Sequence, residues 1–141
     1  MVTTASNYKT FLEEITIDHI DARVEEKFHL DDMLEFIDIY GENPFVLYYE
    51  DYVEMGEAIG YEVVDAFICE NGIGEVASAQ DAFVGWYQSE SDFAEEYTHE
   101  NEKIPSCIVV DWEATWDRHL MYDYDSSPAK GYGVYIFRKY Y

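Results

Sequence analysis

Between Lys27 and Lys103 the chain contains no lysine or arginine. That gap excludes the electrostatic footprint of a nucleic-acid-binding protein, which needs clustered cations to replace counterions along the phosphates. It also excludes attachment to an anionic membrane surface through this stretch. No apolar run approaches the ~18 residues of a membrane span. Cysteine is nearly absent. Cys69 and Cys107 form neither CxxC nor a zinc spacing, and read as reduced thiols in a chain without a disulfide framework. The N-terminus, MVTTASNYKTFLEE, lacks a basic region followed by an apolar one, so no signal peptide is expected. The expected location is the cytoplasm of the cell in which the chain is made.

What is present is acid and aromatic. The 141 residues hold 31 Asp and Glu against 8 Lys and Arg, a formal charge of -23. Small soluble domains usually carry a net charge of magnitude about 2–8. With 14 Tyr, 8 Phe and 3 Trp, the chain is not a disordered acidic tail, which would be poor in aromatics. The charge is also unevenly placed. Residues 28–102 carry 20 acidic side chains and no basic one, residues 1–27 carry 6 against 3, and residues 103–141 carry 5 of each. Self-repulsion of this size opposes a compact state, so the excess points to a basic partner. A uniformly acidic, halophile-like surface is the bland alternative, and the concentration of charge in the centre argues against it.

Periodicity predicts a mainly α protein (α+β): a bundle of short acidic helices, then a helix and a small antiparallel sheet or hairpin at the C-terminus. Residues 1–7 read as a loose tail. Ile17, Ile20, Val24 and Phe28 mark a first helix. A second is capped by Asp31 or Asp32 and runs to about Tyr40, with Leu34, Ile37 and Met33 facing inward and Gly41 as its stop. Pro44 suits the first turn of a third, from about Asn43 to Met55, ended by Gly56. Tyr61–Glu70 and Glu75–Trp86 read as two more, punctuated by Gly60, Gly72 and Gly74. Ser89 and Asp92 have capping-box spacing ahead of a helix with Phe93, Ala94 and Tyr97 on its inner face. Pro105 and Ser106 open a last helix to about Leu120, through Ile108, Val109, Trp112 and Trp116. Met121–Asp125 and Tyr132–Tyr140 read as paired strands. The expected divisions are residues 1–30, an N-terminal tail and short helix; 31–80, an acidic helical domain; and 81–141, a C-terminal α+β domain.

On a helix, residues three or four apart share a face about 5–6 Å apart, while duplex DNA carries a phosphate every ~3.4 Å along each strand. Rows of carboxylates can approach that spacing. Asp31, Glu35, Asp38 and Glu42 form one row, with Asp32 beside it. Glu50, Glu54 and Glu57 form a second, beside Asp51. Asp92, Glu95, Glu96 and Glu100 form a third, flanked by Glu90 and Glu102. Any single row would ordinarily be a solvated helix face. Three rows without a cation among them predict a surface that grips another protein's Lys and Arg.

Enzymatic chemistry finds little footing. There are too many carboxylates to nominate a glycosidase pair. His19, His29, His99 and His119 show no metal-binding spacing, and Asp123 and Asp125 do not open a calcium loop. No catalytic residue, metal or cofactor is expected.

The second half carries recognisable motifs: residues 81–87 (DAFVGWY), 89–96 (SESDFAEE), 104–105 (IP), 110–120 (VDWEATWDRHL) and 131–138 (GYGVYIFR). In order and spacing these resemble the ArdA antirestriction family, with its run of A-Y-x-G-x-Y-x-S-E-x-D-F-A, I-D-W-E, W-x-R-x-L and a final G-Y-V-F-R. Residues 35–80 match more loosely. The resemblance implies an elongated acidic DNA mimic, carried by a phage or mobile element. It would occupy the DNA-binding groove of a type I restriction-modification enzyme in the host cytoplasm. It also implies dimerisation through the C-terminal domain. The balanced charge of residues 103–141 agrees, with Trp112, Trp116, Tyr132, Tyr135 and Phe137 as candidate interface residues. The family's additional N-terminal α/β domain has no counterpart in residues 1–30. Other targets therefore stay open: RNA polymerase, a nucleoid protein or another defence nuclease. A non-specific acidic structural protein remains the third alternative.

Overall fold

The structure is a computed structural model and describes residues 19–23 and 28–141. The expected tail at 1–7 lies outside the described residues, as do Ile17 and Val24 of the expected first helix; residues 19–23 are helical and Phe28 is not. The chain is mainly helical, with a three-stranded antiparallel sheet. It divides into two compact units, Met1–Glu54 and Met55–Tyr141.

In the first unit α1 spans Leu30–Tyr40 and α2 begins at Glu42. Gly41 separates them with φ 102, a left-handed conformation that glycine adopts without a Cβ penalty. Its N–H donates to the Ile37 carbonyl and closes α1 as expected. Asp31 and Asp32 are not the cap. His29 holds that position without a side-chain hydrogen bond, and the two aspartates sit in the first turn, where the helix dipole favours an anion. The inner face also differs from the expected one. Met33 and Phe36 are buried and Ile37 and Tyr40 half-buried, whereas Leu34 is 49% exposed. The set 33, 36, 37, 40 is the helical i, i+3, i+4, i+7 stripe, and choosing Leu34 would have broken it.

Pro44 lies in the first turn of α2, where a missing N–H costs nothing. Gly56 does not end this helix, which continues to Ile59. A Cβ at Gly56 would lie 2.2 Å from the Tyr61 ring, so this glycine makes room for an aromatic side chain instead of stopping a helix. The core of the first unit is largely rings. Phe36 packs against Tyr40, Phe45, Tyr49 and Tyr52 at centroid distances of 4.8–6.2 Å. The Arg23 guanidinium lies 4.8 Å over the Phe45 ring and 3.5 Å from Glu50.

In the second unit α3 spans Tyr61–Asn71, buries Val63, Val64, Phe67 and Ile68, and ends before Gly72. The helix expected over Glu75–Trp86 is replaced by a 3-10 segment at Ile73–Ser78, a short α4 at Ala79–Ala82 and strand β1 at Phe83–Tyr87. The run FVGWY combines aromatic and β-branched residues, which suit a strand. Ser89 caps α5, Glu90–Asn101, by accepting from the Asp92 N–H at 3.2 Å, as its spacing predicts.

The last helix, α6, is only Trp112–Arg118. Its cap is Asp111, which accepts from Ala114 N–H at 3.0 Å. The preceding Ile108, Val109 and Val110 resist helix formation because their β-branches crowd the previous turn. Strands β2, Tyr124–Pro128, and β3, Val134–Arg138, form the expected hairpin. Its first strand starts later than predicted, because Leu120–Tyr122 is a 3-10 turn and Ser126, Ser127 and Pro128 belong to the strand. Gly133, φ +86, lies against the Trp86 indole, and a Cβ there would approach it to 2.5 Å. β3 is central, pairing with β1 and β2. Ile136 on β3 packs with Phe93, Ala94 and Leu120.

Candidate interaction surface

The rows form on three helices. Asp31, Glu35 and Asp38 follow at i, i+4 and i+7 on α1, and all are exposed, as is Asp32. Glu42 does not continue that row: Gly41 ends α1, and Glu42 is half-buried in the first turn of α2. On α2, Glu50, Glu54 and Glu57 are exposed, with Asp51 half-buried. On α5, Asp92, Glu95, Glu96 and Glu100 are exposed and Glu90 half-buried, while Glu102 is exposed at the C-cap. Further exposed carboxylates, Glu62 and Glu70 on α3 with Glu75 and Asp81 beyond it, were countable in the cation-free segment but form no row of three.

Where these charges sit on the helices is informative. Asp38, Glu57, Glu70 and Glu100 occupy the last turns of α1, α2, α3 and α5. An anion at that end opposes the helix dipole by roughly 0.3–1 kcal/mol. α1, α2 and α3 have no basic residue in that turn, and α5 has only His99. Four helices thus carry an anion at the disfavoured end. Solubility alone would be served equally well by placing it at the other.

Compensation within the protein is sparse and mostly neutral. Among the described residues, Glu50 is the one candidate carboxylate paired with an arginine or lysine, through Arg23 at 3.5 Å. This cation comes from outside the cation-free segment. Glu95 lies 3.8 Å from His99. Elsewhere hydroxyls donate. Ser126 Oγ donates to Glu90 Oε1 at 2.9 Å, Tyr135 Oη to Glu62 Oε2 at 3.2 Å, and Tyr141 Oη to Glu75 Oε2 at 3.5 Å. Such bonds hold a carboxylate without cancelling its charge.

The candidate interface aromatics have other duties. Phe137 is fully buried, beside Phe67 at 5.5 Å and Phe83 at 5.7 Å, and offers no surface to a second copy. Trp112 and Trp116 are half-buried against the Phe93 cluster. Tyr135 is half-buried, and Tyr132 is 69% exposed, with its ring edge-on to Trp86. Cys69 and Cys107 are free and exposed. An open groove of about 530 Å³ is lined by Glu62, Asp65, Cys69, Lys130 and Tyr135, among others. Among the described residues no three His, Cys, Asp or Glu side chains are placed to hold a metal ion. Nor is any helix among them long and apolar enough to cross a membrane.

No protein-family model, curated protein or solved structure matches this chain.

Burial, and next the Glu96 charge, raise the Tyr87 hydroxyl above its usual range. Burial, and then the bond to Glu62, do the same for Tyr135. A raised folded-state pKa stabilises the fold fully below the unfolded value of about 10, and the contribution is lost as pH climbs through the folded value. The unfolding midpoint should therefore fall as pH rises past the unfolded tyrosine value of about 10. Tyr87→Phe should reduce that fall, measured by circular dichroism melts on either side of that value. An identical fall in the variant would remove Tyr87 from the explanation.

Proposed function

We propose that this chain is a non-catalytic antirestriction protein of the ArdA kind. In this reading a phage or mobile element encodes it, and it acts in the host cytoplasm. It mimics DNA, and its carboxylate rows fill the DNA-binding groove of a type I restriction-modification enzyme. The observation that carries the reading is the set of exposed carboxylates on α1, α2 and α5, of which, among the described residues, Glu50 alone meets an arginine or lysine, including those at helix ends where the dipole opposes them. The resemblance of the motifs between residues 81 and 138 to those of the ArdA family supplies the choice of target.

Physically, the partner's Lys and Arg side chains would replace solvent counterions along the rows, as they do on phosphates. No proton transfer or bond making is required of any side chain. Segment 103–141 is itself balanced, with five acidic and five basic residues, so two copies of it can pair without net repulsion between the segments. Its exposed Ile108, Val109 and Tyr140 support a homodimer there.

The test is competition. A labelled duplex bound to a purified type I enzyme should be displaced by the chain, and displacement should weaken as salt rises. Unchanged DNA binding at a large molar excess would overturn the choice of target. Displacement of DNA from RNA polymerase, a nucleoid protein or another nuclease in the same format would keep the mimicry and change the enzyme. Sedimentation at micromolar concentration should show a dimer, and a monomer alone would remove the second copy.

A further inference from the structure

Exposed aliphatic side chains are unevenly spread over the acidic helices. On α1, Leu30 is 48% exposed, Leu34 49% and Ile39 60%, and on α2 Leu47 is 60% exposed. α5 is equally acidic and has no exposed aliphatic: Asp92, Glu95, Glu96, His99, Glu100 and Asn101 make up its outer side.

The positions are specific. Leu30 and Leu34 are one turn apart on one face. Leu34 follows Asp31 by three residues and precedes Asp38 by four, and Leu47 precedes Glu50 by three and Asp51 by four. At these separations Leu34 and Leu47 each border a carboxylate. A single exposed leucine needs no explanation. A pair at helical spacing that stays half-exposed at the edge of the Met33–Phe36 core, with Leu34 beside the carboxylate row, does.

We propose that Leu30, Leu34 and Leu47 are apolar anchors for the basic partner of these rows. The occupant they fit is a protein surface of lysine and arginine side chains lying flat. The charged heads of such side chains meet Asp31, Asp38 and Glu50, and their methylene stems lie on the leucines. Beside its charges a DNA backbone offers only the small C–H edges of deoxyribose, so leucine side chains add a larger apolar contact that salt does not screen. Interface energy concentrates in such desolvated centres, with charged groups around them contributing more to steering. α5, without aliphatics, engages by charge alone. The inference rests on the proposed mimicry and deepens it by assigning partner discrimination to the first unit.

The experiment uses the full chain in the same competition against a type I enzyme and labelled duplex, at about 50 mM and about 200 mM salt. The double variant Leu30→Ser with Leu34→Ser should lose about tenfold in affinity at both concentrations, leaving the salt slope unchanged. Leu47→Ser, on a separate helix, should lose less but in the same manner, and it serves if the double variant fails to fold. Glu35→Gln with Asp38→Asn should instead flatten the slope. Leucine variants that compete as well as the unaltered chain at the higher salt overturn the anchors and leave the mimicry standing. An unaltered chain that fails to compete overturns both.

Discussion

Repulsion among carboxylates is the constraint around which this molecule is built. Twenty acidic residues fall in 75 positions without a lysine or arginine between them. Like charges one turn apart oppose each helix by a few tenths of a kcal/mol per pair, and the summed field opposes compactness altogether. The counterweight is aromatic. In the first unit, rings from α1 and α2 interlock around Phe36. In the second, Phe67, Phe83 and Phe137 pack together while Phe93 gathers Tyr87, Tyr97, Trp116 and Tyr124. Each such side chain stabilises by about 1.5–3 kcal/mol when fully buried, which sets the scale against which the repulsion must be judged.

Tyrosine has a second use. A lysine that pins a carboxylate also cancels it, whereas a hydroxyl pins it and leaves the charge in place. Tyr135 and Tyr141 hold Glu62 and Glu75 in this way, and Ser126 holds Glu90. Arg23 is the exception. Its guanidinium is buried against Phe45 and reaches the exposed Glu50, so a cation supports the acidic side from within. A chain selected only for solubility could have interspersed lysines. Proteins that break local rules commonly do so where they function, and the anions in the last turns of four helices are such a departure.

The fold class was legible in the sequence because long helical stripes and the Tyr-Val-Ile-Phe run of β3 are strong periodic signals. Gly41 and Ser89 were legible because a left-handed stop and a side-chain cap each demand few residue types. Other features were not. FVGWY was absorbed into a helix because its partner strand lies 46 residues or more away, and pairing, not local preference, makes it a strand. Gly56 was read as a stop because the Tyr61 ring that needs its space is a tertiary fact. The carboxylate rows were visible as spacing, but Gly41 cut Glu42 from its row. Arg23, placed outside the acidic segment in sequence, could not be paired with Glu50 without coordinates.

The most direct measurement joins stability to binding in one protein. Replacing Asp38, Glu57, Glu70 and Glu100 with the corresponding amides removes four anions from the disfavoured ends of α1, α2, α3 and α5. At low salt the account predicts a higher melting temperature together with weaker competition for a type I enzyme's DNA site. A melting temperature no higher than that of the unaltered chain, with competition undiminished, would contradict it.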